Sequence, residues 1–291
     1  MDKTVFALGF FDGVHLGHQA LLKAAVRLAE QVGAMPGAVT FSVHPDGLVS
    51  GNAPGLLSTG CERDRLLRFY GAKRVLELPF DRALMETQWS DFLEQLVGKG
   101  AAGFVCGDDF RFGAGGIGTA QTLGSWCRQR NLPYAIVPQQ EVDGVRVSST
   151  HIRGLLEKGE MEQAVRFLGH PHILSGEVVT GRGLGHTIGI PTANVLLTEG
   201  LAVPKLGVYA GYATVEGKEY PAVTNIGSRP TVGGHQVRTE SWLLDFSGDL
   251  YGKQITLSLL KFLRPEEKFE SLEELKAQIL QDAQQVRGFK K

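Results

Sequence analysis

Cysteine is scarce in this chain. Cys61, Cys106 and Cys127 are its only thiols. The count is odd and no C-x-x-C pair exists, which speaks against a disulfide framework or a zinc site. Long apolar runs are missing too. No stretch of 18 apolar residues occurs, so no membrane-spanning segment is expected. The opening MDKTVFALGFFDG lacks the apolar core of a signal peptide, and a cytoplasmic protein is the expectation. Net charge is nearly absent: 30 Lys and Arg meet 31 Asp and Glu, leaving −1. A protein that lives on nucleic-acid backbone usually shows a basic face, so nucleic acid is not an expected partner. Local pockets for phosphate remain compatible with that balance.

Glycine is plentiful, at 38 of 291 residues, about twice the usual share. These glycines follow no period and gather in short loops, which suits backbone that must approach a ligand closely. With 43% hydrophobic and 21% charged residues there is ample material for a core. The length predicts two domains.

The chain changes character near residue 170. Before it, strand-like and helix-like segments alternate. Thr4–Leu8, Ala38–Phe41, Val75–Leu78, Phe104–Cys106 and Tyr134–Val137 read as strands. Gly17–Val32, Ser90–Val97 and Gln121–Arg130 read as helices, and Thr59 with Glu62 forms a capping box. This alternation predicts an α/β fold, a parallel sheet covered by helices, with ligands beyond the carboxyl ends of the strands. Ser149–Lys158 and Met161–Leu168 predict two short helices. After His170-Pro171 come strands at Ile173–Thr180, Val208–Val215, Tyr220–Asn225, Val237–Phe246 and Gln254–Phe262. They predict a small antiparallel barrel, closed by a helix that Ser271 and Glu274 cap. The expected domains are 1–170 and 171–291.

The first chemical signal is Gly9–His18, GFFDGVHLGH, between the first strand and the first helix. His15 and His18 share a face at a helix start, where free N–H groups and the dipole favour phosphate. Imidazoles there can donate to a leaving pyrophosphate. Two exposed histidines near a cap are the plain alternative. Ser148–Arg153 offers hydroxyls, helix N–H groups and a guanidinium one turn on, all able to meet one phosphate. Asp109, in GDDFRFG, follows a strand; a turn aspartate is its plain alternative. Gly113–Gly118 satisfies G-x-G-x-x-G, yet DDFRF separates it from its strand, so it is not read as a dinucleotide fingerprint. A Walker A sequence is absent, so a kinase here needs other phosphate-binding architecture.

The second signal is Gly176–Asn194, GEVVTGRGLGHTIGIPTAN. Gly181, Gly183, Gly185 and Gly189 make a loop able to wrap phosphates with N–H groups. Pro191-Thr192-Ala193-Asn194 adds two neutral oxygen ligands on a stiffened turn, a set Mg2+ accepts when water and phosphates complete its shell. Glu240 shares a face with Trp242, Leu244 and Phe246, and that face is expected to point into the barrel. A buried carboxylate is costly, so inward placement points to a role; a bulge or edge position is the alternative.

G-x-F-D-G-x-H-x-G-H resembles the adenylyltransferase module of the bacterial bifunctional riboflavin kinase/FAD synthetase family. TFSVHP at 40–45, GDDFRFG at 107–113 and VSSTHIR at 147–153 resemble later motifs of that module, in the same order. GRGLG with PTAN, NIGSRPT at 225–231 and TESWLLDF around Glu240 resemble its flavokinase module. The resemblance covers nearly the whole chain. It implies phosphorylation of riboflavin by ATP to FMN, then adenylylation of FMN to FAD with release of pyrophosphate. It implies that His15, His18 and Arg153 are catalytic in the first half, and that Gly9, Phe11, Asp12, Gly13, Gly17, Asp109, Ser148, Ser149 and Thr150 place flavin and nucleotide. In the second half it implies Glu240 as the kinase base. Gly181, Gly183, Gly185, Pro191 and Arg229 would lie at ATP, and Thr192 and Asn194 at Mg2+. Many members have His at the place of Trp242, Arg at that of His151, and a smaller residue at that of Phe10. None of these departures removes a proposed chemical group; they bear on substrate fit. A monofunctional enzyme with one silent half, or a flavin-binding regulator, are the alternatives. Small-molecule substrates and a monomer or weak homo-oligomer complete the expectation.

Overall fold

Thr4–Leu8, five buried residues without a charge, forms strand β1 at the centre of a five-stranded sheet. This computed structural model describes residues 3–49, 51, 53–181, 189–231 and 234–289. The chain divides into two compact units, Met1–His151 and Ile152–Lys291, and the division falls within one helix, α7 (Ser149–Lys158).

In the first unit β1 is followed by α1 (Leu16–Val32), β2 (Met35–Phe41), α2 (Pro45–Val49), α3 (Gly60–Phe69) and β3 (Arg74–Leu78). Then come α4 (Arg82–Glu86), α5 (Trp89–Gly98), β4 (Ala101–Gly107), α6 (Ala120–Gln129) and β7 (Tyr134–Val137). Two small hairpins complete it: β5 (Arg111–Phe112) with β6 (Gly118–Thr119), and β8 (Glu141–Val142) with β9 (Val145–Arg146). The sheet order is β3-β2-β1-β4-β7, and every pairing is parallel. Strand order therefore reverses between β1 and β4, the place where such sheets open a ligand crevice. The Thr59–Glu62 box forms in full: Glu62 N donates to Thr59 Oγ1 at 3.2 Å, and Thr59 N to Glu62 Oε2 at 2.7 Å. The G-x-G-x-x-G segment lies in the β5–β6 hairpin, where Gly113 packs so closely on Trp89 that a Cβ would collide with its backbone.

In the second unit α8 (Met161–Leu168) precedes β10 (His172–Val179), β11 (Ala193–Leu197), β12 (Gly207–Val215), β13 (Lys218–Thr231), β14 (Gly234–Leu243) and β15 (Gln254–Arg264). The strands close into an antiparallel barrel in the order β10-β11-β14-β13-β12-β15. The fold class read from the sequence stands. β12 and β13 meet through Glu216-Gly217, both at positive φ (48° and 80°), the tight turn that matches strand twist. The C-terminal helix, Leu272–Arg287, starts at Ser271, whose Oγ accepts from Glu274 N.

Two expectations need correction. PTAN is not a free turn: Ala193 and Asn194 begin β11, paired with β10 and β14. Glu240 does not point into the barrel. Among the described side chains of β14 the buried ones are Thr239, Ser241 and Leu243, and the hydroxyls of Thr224 and Ser241 bond inside at 2.9 Å. Glu240 and Trp242 face outward. The C-terminal helix covers that outer face and makes it a second core, in which Trp242 packs with Val208, Val223, Leu244, Ala283 and Val286. Period-two alternation was read correctly; which side lay outside depended on the helix.

Candidate functional site

At the carboxyl ends of β1, β4 and β7 lies a cleft of about 270 Å³. Gly9, His15, Gly17, His18, Asp109, Ser148 and Ser149 line it. His15 is the N-cap residue of α1 and His18 stands in the helix's first turn. Their rings stack with centroids 3.6 Å apart. Gly17 lies under this stack, and a Cβ there would come within 3.2 Å of the His15 ring. Burial, and then the neighbouring His15, hold the His18 imidazole well below its ordinary pKa. His18 Nδ1 is buried and without a hydrogen-bond partner among the described residues. The cleft thus presents helix N–H groups and a neutral imidazole, both suited to phosphate oxygens.

The turn beneath the cleft is tied down from a distance. Asp12 is buried, and its Oδ1 accepts from the amides of Leu57 at 2.8 Å and Ser58 at 3.3 Å. Gly13 N donates to Ser58 Oγ at 3.0 Å. Phe11 is fully buried in the left-handed region, at φ 61°. Phe11, Asp12 and Gly13 lie outside the lining of the cleft and shape the turn that carries His15. Ser148 Oγ caps α7 by accepting from His151 N at 3.2 Å, and Ser149 Oγ donates to the Asp12 carbonyl at 3.1 Å. Thr150 is exposed, and Arg153 follows Ser149 by one turn of α7. Asp109 is ion-paired with Arg146 across the cleft mouth.

A second, larger cavity of about 750 Å³ adjoins the cleft. Phe10, Phe41, Phe80, Phe92, Phe110 and Phe112 line it, together with Leu84 and Met85 of α4. It offers apolar faces and room for a fused aromatic ring system. Phe110 and Phe112 belong to the GDDFRFG loop, which the resemblance placed at flavin and nucleotide; Phe41, Phe80 and Phe92 carried no such expectation.

In the barrel unit a cavity of about 240 Å³ opens between the outer face of the barrel and the C-terminal helix. Thr192, Asn225, Glu240 and Trp242 line it from the barrel, and Leu275 and Ile279 from the helix. Strand register places Asn194, Glu240 and Asn225 side by side across β11, β14 and β13. Arg238 Nη1 lies 3.7 Å from Glu240 Oε1. Gly181 packs against the Asn194 amide so closely that a Cβ would collide with it. Pro191 is exposed at the start of this segment, and Arg229 lies on β13 opposite Gln236. Gly183 and Gly185 lie outside the described residues. In the wall of the cavity, Asp282 is fully buried and accepts from Arg264 Nη2 at 2.9 Å and Gln278 Nε2 at 3.0 Å. This clasp holds the helix to β15.

Residues 1–151 match the family described as FAD synthetase, and residues 168–290 the family described as riboflavin kinase. The bifunctional riboflavin kinase/FMN adenylyltransferase of Listeria monocytogenes is 35% identical over 99% of this chain and 92% of its own. That of Escherichia coli strain K12 is 39% identical over 99% and 93%. The chain belongs to the bifunctional riboflavin kinase/FMN adenylyltransferase family. It is an enzyme of flavin cofactor biosynthesis, forming FMN from riboflavin and FAD from FMN. A solved structure described as a macrolide-efflux protein from Streptococcus pneumoniae superposes with a TM-score of 0.90 at 29% identity, covering 99% of this chain and 95% of that one. Among the described residues of this family member no helix is long and apolar enough to cross a membrane.

Both family halves also hold residues that sequence reading passed over. Arg63 of α3 is 1% exposed, and its guanidinium lies 4.5 Å from the Phe10 ring centre. Glu266 accepts from Asn225 Nδ2 at 3.3 Å beside Glu240. Their signal is long-range pairing, which spacing along the chain does not carry.

Proposed function

We propose that residues 1–170 join FMN to ATP in the His15/His18 cleft, and that residues 171–291 phosphorylate riboflavin in the cavity of Glu240. In the first reaction an FMN phosphate oxygen attacks the α-phosphorus of ATP. The bond to the bridging oxygen breaks, and pyrophosphate leaves. No protein nucleophile is needed. His18 and His15 donate to the departing phosphates, and Arg153, Ser149 and Thr150 gather the rest of the charge at the start of α7. The isoalloxazine ring lies in the neighbouring phenylalanine cavity.

In the second reaction Glu240 accepts the proton of the riboflavin 5′-hydroxyl as its oxygen bonds to the γ-phosphorus and ADP leaves. Trp242 and the apolar side of the C-terminal helix hold the flavin. Thr192 and Asn194 offer neutral oxygens, a donor set that fits Mg2+. Gly181 fixes the Asn194 amide for that purpose. Bound there, the ion would neutralise phosphate charge. The setting this reading implies is cytoplasmic, with small-molecule substrates, no nucleic-acid or membrane partner, and a monomer or weak homo-oligomer.

The observation that carries the reading is the row Asn194–Glu240–Asn225, in which the proposed metal donor stands beside the proposed base on adjacent strands. Chromatography of products from riboflavin and ATP, with and without Mg2+, tests it. FMN and FAD should both form, and only with the metal. Metal-independent FMN formation, or no FAD from supplied FMN, would overturn it.

A further inference from the structure

The phenylalanine cavity and the phosphate cleft share two lining residues, Phe10 and Phe110. A ligand with its ring in one and its phosphate in the other must pass its linking chain between these side chains. Phe110 stacks on Phe112, with centroids 5.5 Å apart. Phe10 is held on two sides. The Arg63 guanidinium lies 4.5 Å from its ring centre, and the His44 ring meets it in a T-shaped contact, 4.7 Å between centroids. Its carbonyl accepts from Thr40 Oγ1 at 2.8 Å.

Arg63 is a costly choice for this place. Its Nη2 donates to the Phe41 carbonyl at 2.7 Å and lies 3.9 Å from Glu77, itself half exposed. Its Nε is buried and finds no partner among the described residues. A cation so enclosed loses hydration, and burial outweighs the attraction of the two carboxylates that act on it, Glu77 and Asp12. What it gains is a flat, rigid face against an aromatic ring, which lysine cannot offer.

We propose that Phe10 is the specificity-determining residue of the adenylylation site, setting the gap through which an unbranched polyol phosphate passes, and that Arg63 is the positioning residue that holds its ring. This rests on the reading that the phenylalanine cavity takes the flavin ring. Phe10 contacts the substrate; Arg63 acts through Phe10.

The test is steady-state adenylylation of FMN by the full chain. Phe10→Ala should raise KM for FMN about three- to tenfold, the scale of one lost aromatic contact. KM for ATP should stay within about twofold, because the nucleotide does not cross the gap. Arg63→Met should raise KM for FMN in the wild-type background and add little in the Phe10→Ala background, as expected of residues that act as a unit. Riboflavin phosphorylation by the same samples should not change. If Arg63→Met loses its unfolding transition, Arg63→Lys takes its place in the cycle. An unchanged KM for FMN in Phe10→Ala overturns the proposal, as does full additivity of the two changes. A wild-type chain that makes no FAD from FMN overturns instead the reading of the cleft itself.

Discussion

The rings of His15 and His18 lie face to face, 3.6 Å between centroids and 16° between planes. Two imidazoles so close cannot both carry charge without strong repulsion, and His18 is already disfavoured as a cation by burial. Both effects favour the neutral form of His18. On the proposed reading, arriving phosphates would offset that penalty, so that the imidazoles could donate to them as pyrophosphate leaves.

His18→Ala should slow FAD formation by roughly 10²–10³, the scale of losing one transition-state donor. FMN formation should stay near wild type. Product chromatography of both activities in one sample checks this; equal loss of the two would indicate misfolding.

Glu240→Gln keeps shape and removes the base. Riboflavin phosphorylation should fall by roughly 10²–10⁴, the span of general-base catalysis. Riboflavin and ATP binding should change far less, and adenylylation of supplied FMN should survive. Phosphorylation within about threefold of wild type, far below that span, would show that Glu240 is not the base.

His172 opens β10 fully enclosed, and burial, followed by the nearby His170, pushes its imidazole down to about 4. The unfolded chain takes up this proton near pH 6.5. Between those values the folded state binds fewer protons than the unfolded one. Stability from this group is therefore whole above about pH 6.5 and declines as pH falls toward 4, by at most about 3 kcal/mol. Denaturant midpoints at pH 7 and pH 4.5 should differ, and His172→Phe should shrink the difference. An equal difference in the variant would assign the effect to other groups.

The barrel unit begins at Ile152, and α8 buries Met161, Ala164, Phe167 and Leu168 within it. Burial of each large side chain contributes about 1.5–3 kcal/mol. A piece starting at 152 should phosphorylate riboflavin and make no FAD. A piece starting at 171 should unfold at lower temperature. Thermal scans of both pieces test this, and equal transitions would deny α8 that role.

Local signals were legible because they are local. The Thr59–Glu62 box and the α7 cap at Ser148 depend on neighbours three residues apart. The box at Ser271 formed only in half, since Glu274 reaches the amide of Glu270 instead. Glu240 was placed on the correct face with Trp242, but alternation cannot say which face a distant helix will cover. β11 was hidden because Pro191, two residues before its start, reads as a turn. Asp12 looked like a ligand residue within FDG, whereas its bonds run to Leu57 and Ser58, 45 and 46 residues away. Nothing local marks out Arg63; only the folded chain puts Phe10 beside it.

Closure of the barrel gives each of its strands two neighbours, whereas the parallel sheet ends at β3 and β7. Open edges are where separate chains add strands and aggregate. β3 carries Arg74 and Glu77 as gatekeepers. β7, Tyr134–Val137, has no charge and exposes Ile136, and its length of four residues between Pro133 and Pro138 guards it. When the protein is stressed, intermolecular pairing should start at this short uncharged border, and a lysine at Ile136 is the simplest way to blunt it.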